Sequence, residues 1–178
     1  MAAAALTVAL ALPLLGPVSA DDTTGTVTPL VHVTQAYSGS LGIGGDVQDG
    51  LLDFGYLVPG AEPITRTVAL NVTATANWHV TLTTIQDLTV GGGGDSIPPD
   101  VFTFTSGGDL GPTYVTSETP FRTSGDSEGN QVTVDVASSD LPVEDCQVDV
   151  DYSLEIPVTQ ADGYYSAGSH VYTLIVGE

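Results

Sequence analysis

The segment Gln147–Ile156 (QVDVDYSLEI) restricts the fold more than any other stretch of this chain. Val148, Val150, Tyr152, Leu154 and Ile156 fall on one face, and Asp149, Asp151, Ser153 and Glu155 on the other. Side chains of an extended strand alternate between faces, so a strict period of two makes a strand with one buried side and one solvated side. Wound as a helix, the same residues would scatter valines and carboxylates around the whole circumference. Ile64–Thr75 repeats the pattern, setting Val68, Leu70, Val72 and Ala74 against Thr67, Asn71, Thr73 and Thr75. Trp78, Val80 and Leu82 continue it, and Val132, Val134 and Val136 give a further clean strand.

Other strands are expected at Thr26–Tyr37, Leu51–Phe54, Val101–Thr105, Tyr114–Thr116 and Val171–Val176. Pro29 makes the first of these an edge strand, because proline has no N–H to give a ladder. The glycine-rich Ser38–Gly50, the Pro59-Gly60 turn and Gly91–Asp100 read as loops, and the polar Ser117–Gln131 cannot form a strand throughout. The expected fold is all-β: a two-sheet antiparallel sandwich, Ig-like or pilin-like, of about eight or nine strands. A closed barrel fits less well, because the connections are uneven in length.

Residues 1–20 end in Val18-Ser19-Ala20 after an apolar run, which is the pattern of a cleavable secretory signal. Pro13, Gly16 and Pro17 make the same run a poor membrane span. Residues 21–178 then form one domain, with no membrane insertion expected after cleavage and an extracellular or cell-surface location. The solitary Cys146 cannot pair within the chain; it is either a buried apolar residue, which is favoured, or an intermolecular bridge.

Charge narrows the partners. The chain has 22 acidic residues against Arg66 and Arg122, no lysine, and a net charge of −20. Such a chain repels phosphate backbones, which excludes nucleic acid, and it disfavours anionic membrane surfaces. The acidity serves solubility, in salt that screens self-repulsion, or it holds divalent cations.

Few residues group into chemistry. Gly125-Asp126-Ser127-Glu128-Gly129 matches the G-x-S-x-G nucleophile elbow in letters, but that motif needs a strand before it and a helix after it. Asp126, Glu128 and Asn130 place oxygens at alternate positions beside Gly129, so this loop is the candidate Ca²⁺ site. Asp149, Asp151 and Glu155 share one strand face and repel one another unless cations or salt intervene; a charged face also blocks edge-to-edge pairing. His32, His79 and His170 lack metal-ligand spacing. Asn71-Val72-Thr73 is a glycosylation sequon on an outward strand face. Nothing singles out a pair of catalytic groups, so no enzyme and no cofactor other than Ca²⁺ is expected.

Leu52-Asp53-Phe54-Gly55 before an alternating strand resembles the LDFG element of the spore coat U and pilin-like surface proteins. Ile156-Pro157-Val158, Ala167-Gly168-Ser169 and Tyr172-Thr173-Leu174 resemble the close of the same proteins. With Trp78-His79-Val80 they are also similar to the WxL cell-wall-binding domain, although W-x-V and Y-T-L stand where two W-x-L triplets belong. The cysteine pairs usual in the spore coat U group are absent. The resemblance implies a fibre or coat subunit, or a wall-associated module.

Two functions follow as expectations. In the first, Thr26–Tyr37, with Val27, Val31 and Val33 as its apolar residues, detaches across the glycine-rich loop and adds to the sheet edge of a second copy, giving a homo-polymer. In the second, the sandwich binds a cell-wall polymer, carbohydrate or calcium; Tyr56, Tyr164 and Tyr165 in the turns are then its contact residues, unless they only pack over an end of the sandwich.

Overall fold

The two longest alternating segments pair with each other. The computed structural model describes residues 23–27, 39–84, 88–90, 95–123, 131–166 and 168–177. In it β5 (Ile64–Ala74) and β12 (Val143–Leu154) run antiparallel, with Leu154 opposite Ile64 and Val150 opposite Val68. Their inward residues Val68, Leu70, Val72, Val148, Val150 and Tyr152 are all essentially inaccessible to solvent. Each such side chain contributes roughly 1.5–3 kcal/mol of burial, which fixes the register because a one-residue slip would expose the whole row.

This pair is the middle of a five-stranded sheet ordered β10 (Thr119–Pro120), β8 (Phe102–Gly108), β12, β5, β2 (Gly39–Gly45). The facing sheet is ordered β1 (Thr23–Val27), β14 (His170–Val176), β6 (Trp78–Thr84), β11 (Val132–Ser139), β9 (Thr113–Tyr114). All these pairings are antiparallel. One continuous core from Leu41 to Val176 fills the space between the sheets. The molecule is therefore the all-β sandwich expected, and no α-helix occurs among the described residues. Two small two-stranded pairs lie outside the main sheets: the hairpin of β3 (Val47–Gln48) with β4 (Leu51–Leu52), and the long-range pair of β7 (Thr89–Val90) with β13 (Tyr165–Ser166).

Three expectations are corrected. The glycine-rich segment read as a loop contains β2, which pairs with β5 from Gly39 opposite Ala74 to Gly45 opposite Val68 and buries Leu41. Glycine is required there by space: a Cβ on Gly39 would lie 2.9 Å from the Thr73 carbonyl oxygen and 3.1 Å from side-chain carbons of Leu174 and Val176. The strand expected over Leu51–Phe54 shrinks to β4, outside both main sheets, because the chain turns at Asp53. The first strand begins earlier than expected: Thr23–Val27 lies at the sheet edge, with Thr23 opposite Leu174 and Val27 opposite His170. Val31 and Val33, and the signal at residues 1–20, lie outside the described residues.

A hydroxyl stitches the two sheets together where β11 is irregular. The ladder between β11 and β6 shifts between Asp135 and Ala137, leaving Val136 out of register. The buried Ser106 of β8 donates its hydroxyl to the Val136 carbonyl and accepts the Val115 N–H at 2.8 Å. A carbonyl freed by the bulge is thus satisfied from the opposite sheet.

The sandwich has two distinct ends. Trp78 opens β6 opposite Val176 and Ser139 at one end. At the other, Leu154 stands opposite Phe102 and Ile64, and His170 begins β14. A seven-residue strand separates the two ends by about 20 Å. Trp78 is a buried core residue, as expected, and its indole N–H has no hydrogen-bond partner among the described residues.

Candidate functional site

The end that carries His170 holds a groove of about 710 Å³. One wall is the turn after β4. There Asp53 accepts the Gly55 N–H on its own carboxylate at 2.8 Å, an Asx-type turn, and Gly55 takes a φ of +72°. Between them Phe54 packs edge-on against Phe102 with ring centroids 5.8 Å apart, which seats the turn on the core. The Leu-Asp-Phe-Gly residues therefore form a device: a capped turn, an aromatic plug and a glycine that takes the left-handed backbone.

The other wall is the loop from Ile156 to Gly168. Tyr165 donates its hydroxyl to the Ala161 carbonyl at 2.7 Å and accepts the Gln160 amide at 2.8 Å. Gln160 also reaches the Ser96 carbonyl at 3.3 Å, and β13 pairs with β7. The Gly60 N–H donates to the Ile156 carbonyl at 2.8 Å, so the two walls are joined directly. Gly60 takes a φ of +74°, a left-handed backbone that favours glycine, at this crossing.

The floor comes from the core. Ile97, Phe102, Tyr152, Leu154 and His170 line it. Tyr152 stacks on Phe121 with centroids 4.6 Å apart and on His170 at 5.6 Å. The Tyr152 hydroxyl oxygen lies 2.6 Å from that of Tyr172 and 3.1 Å from His170 Nδ1, a buried polar chain that bridges the sheets. Burial holds the imidazole neutral, lowering its pKa to about 4, and pushes both tyrosine hydroxyls above their ordinary value.

The rim is where tyrosines meet acids. Tyr56 is 97% exposed and Tyr164 86% exposed, yet both line this groove, with Tyr165, Asp53 and Asp162 beside them. The three turn tyrosines singled out in the sequence are thus brought together. The floor residues Phe102, Tyr152 and His170 are not readable as a group, because they come from three strands paired at long range. A partial signal exists for His170, since His170, Tyr172, Leu174 and Val176 alternate as one buried face.

The other candidates fall elsewhere. Asp126, Glu128 and Asn130, and the whole G-x-S-x-G match, lie outside the described residues. His32 does too, while His79 and His170 sit at opposite ends of their paired strands. Among the described residues no three His, Cys, Asp or Glu side chains are placed to hold a metal ion. On the face shared by Asp149, Asp151 and Glu155, the carboxylates find donors instead: Asp151 accepts the Thr67 hydroxyl at 2.6 Å and Asp149 the Gln147 amide at 2.8 Å. Asn71 is exposed on β5. Cys146 is buried, its thiol 3.9 Å from the Gln147 carbonyl, and burial raises its pKa. No helix among the described residues is long and apolar enough to cross a membrane.

No protein-family model matches this chain, and a search of curated proteins finds no relative.

Proposed function

We propose that this protein is a secreted, non-catalytic cell-surface module that binds a sugar polymer in the groove at the His170 end of the sandwich. One observation carries the reading: Tyr56 and Tyr164 hold nearly whole rings in solvent on the rim of a single groove. Large aromatic side chains are ordinarily drawn into a core or an interface. Rings held out beside a concavity offer flat faces on which sugar rings stack, while Asp53, Asp162 and Gln160 offer oxygens and an amide to hydroxyl groups. The tie between Gly60 and Ile156 supports a groove formed before its ligand arrives.

The test is binding of the purified protein to wall polysaccharides and their soluble oligomers. Tyr56→Ala and Tyr164→Ala should each weaken binding by about five- to tenfold, roughly 1–1.4 kcal/mol, with little change in melting temperature. Undiminished binding by the double variant would overturn the reading.

A second reading is the fibre or coat subunit, and the edge position of β1 favours it. Strand exchange requires β1 to leave β14, and a second copy's β1 would then take its register from Thr23 to Val27. Electron microscopy of the mature protein decides it: filaments support assembly, and monodisperse monomers with and without calcium exclude it.

A further inference from the structure

Resting on that reading, we infer that the groove selects a sugar chain whose units carry protonated amines, a polymer of deacetylated amino sugars, over neutral or acidic sugars. The charges at the groove are one-sided. Asp53 and Asp162 line it, and neither arginine is among its lining residues. Arg66 is the cation beside the wall, but its guanidinium donates to the carbonyls of Asp53 and Thr65, at 3.0 and 3.3 Å, so neither of these bonds goes to a groove carboxylate. The imidazole on the floor adds no positive charge, being buried and bonded to Tyr152. The chain as a whole, at −20 and without a lysine, adds a field that draws cations toward any concave surface.

Tyrosine faces and carboxylates together suit an ammonium group on a ring. The ammonium sits over the aromatic face or against the carboxylate, and the ring itself stacks on the tyrosine. An acidic sugar would meet two carboxylates and no cation among the lining residues. A basic peptide shares the charge but finds only the two-residue strands β4 and β13 to pair with at the groove. Phe102, Tyr152, Leu154 and His170 belong to strands already paired on both sides, and β4 is two residues long and paired with β3. Among the described residues, no edge strand of either five-stranded sheet lines the groove for a peptide strand to join.

The experiment titrates the full protein with a glucosamine oligomer and with its N-acetylated counterpart, at moderate salt and at a pH where the free amines are protonated. The glucosamine oligomer should bind at least tenfold more tightly. Asp53→Asn combined with Asp162→Asn should remove most of that preference, weakening binding of the glucosamine oligomer at least tenfold more than that of the acetylated oligomer; asparagine keeps the acceptor for the Gly55 N–H, so the turn persists. As a control of equal charge, Asp140→Asn with Glu144→Gln lies at the opposite end of the sandwich and should leave the preference intact.

An equal loss from the distal pair would overturn the inference, by reducing the preference to diffuse attraction. Tighter binding of the acetylated oligomer would overturn it while leaving the sugar-binding reading in place. Binding of neither oligomer, nor of any wall polysaccharide, would remove the reading on which it rests. Equal, Asp-dependent binding of a lysine-rich peptide would replace the sugar with a basic protein segment.

Discussion

Tyr152 meets Tyr172 and His170 in the core, and this buried chain makes the fold sensitive to acid at one imidazole. In the unfolded chain His170 takes up a proton near its ordinary value of 6.5; in the folded protein burial delays this until about pH 4. Between those values the unfolded state holds a proton that the folded state refuses, so acid favours unfolding, and above pH 6.5 the effect vanishes. From pH 7.5 down to 4 the stability of the wild type should fall relative to His170→Phe by about 3 kcal/mol. Chemical denaturation of both proteins across that range measures it; a constant difference would show that the imidazole is not kept neutral. The comparison with a variant isolates the imidazole from every other pH-dependent contribution to stability. In the sequence, His170 is one of three isolated histidines. Its burial depends on Phe102 and Tyr152, which are distant along the chain, so nothing local announces it.

Strands were legible where both faces alternate, and illegible where one face is missing. Val68 to Ala74 and Val148 to Leu154 are readable because each carries a polar row against an apolar one, and the structure keeps both rows. β2 hides because Gly39, Gly42, Gly44 and Gly45 leave only Leu41 and Ile43 as pattern, and glycine signals a loop unless a neighbouring strand demands close approach. The irregularity of β11 at Val136 is likewise unmarked in the run Val132–Val134–Val136, since a bulge is a property of the pairing. Its stabiliser is a single hydroxyl on the opposite sheet. Ser106→Ala should cost about 1–3 kcal/mol, because it leaves the Val136 carbonyl and the Val115 N–H without their partner. Thermal or urea unfolding reads the loss directly, and a change below about 0.5 kcal/mol would mean the bulge is satisfied in another way. The groove had a mixed legibility: its tyrosines were visible as turn residues, while its depth comes from the way the Asp53 turn and the Ile156–Gly168 loop meet over the ends of paired strands.

At the scale of the molecule, the charge of −20 and the aromatic layout govern behaviour in solution. Carboxylates accept backbone N–H groups: Asp46 from Thr67 at 2.9 Å, Asp109 from Gln147 at 2.8 Å. Such bonds place the acids without neutralising them, so like charges still repel across the surface. Raising sodium chloride from about 0.05 to 1 M shortens the screening length to about 3 Å and should raise the melting temperature by several degrees. A flat or falling melting temperature would show that self-repulsion is not a main cost of this fold. The position of Trp78 has a consequence for any optical assay. The chain's one indole is sealed at the end opposite the groove, about one strand length away. Tryptophan emission will therefore follow unfolding and stay silent as a ligand fills the groove, while the exposed rings of Tyr56 and Tyr164 register the ligand. Two colours of intrinsic fluorescence thus separate the integrity of the sandwich from the occupancy of its site.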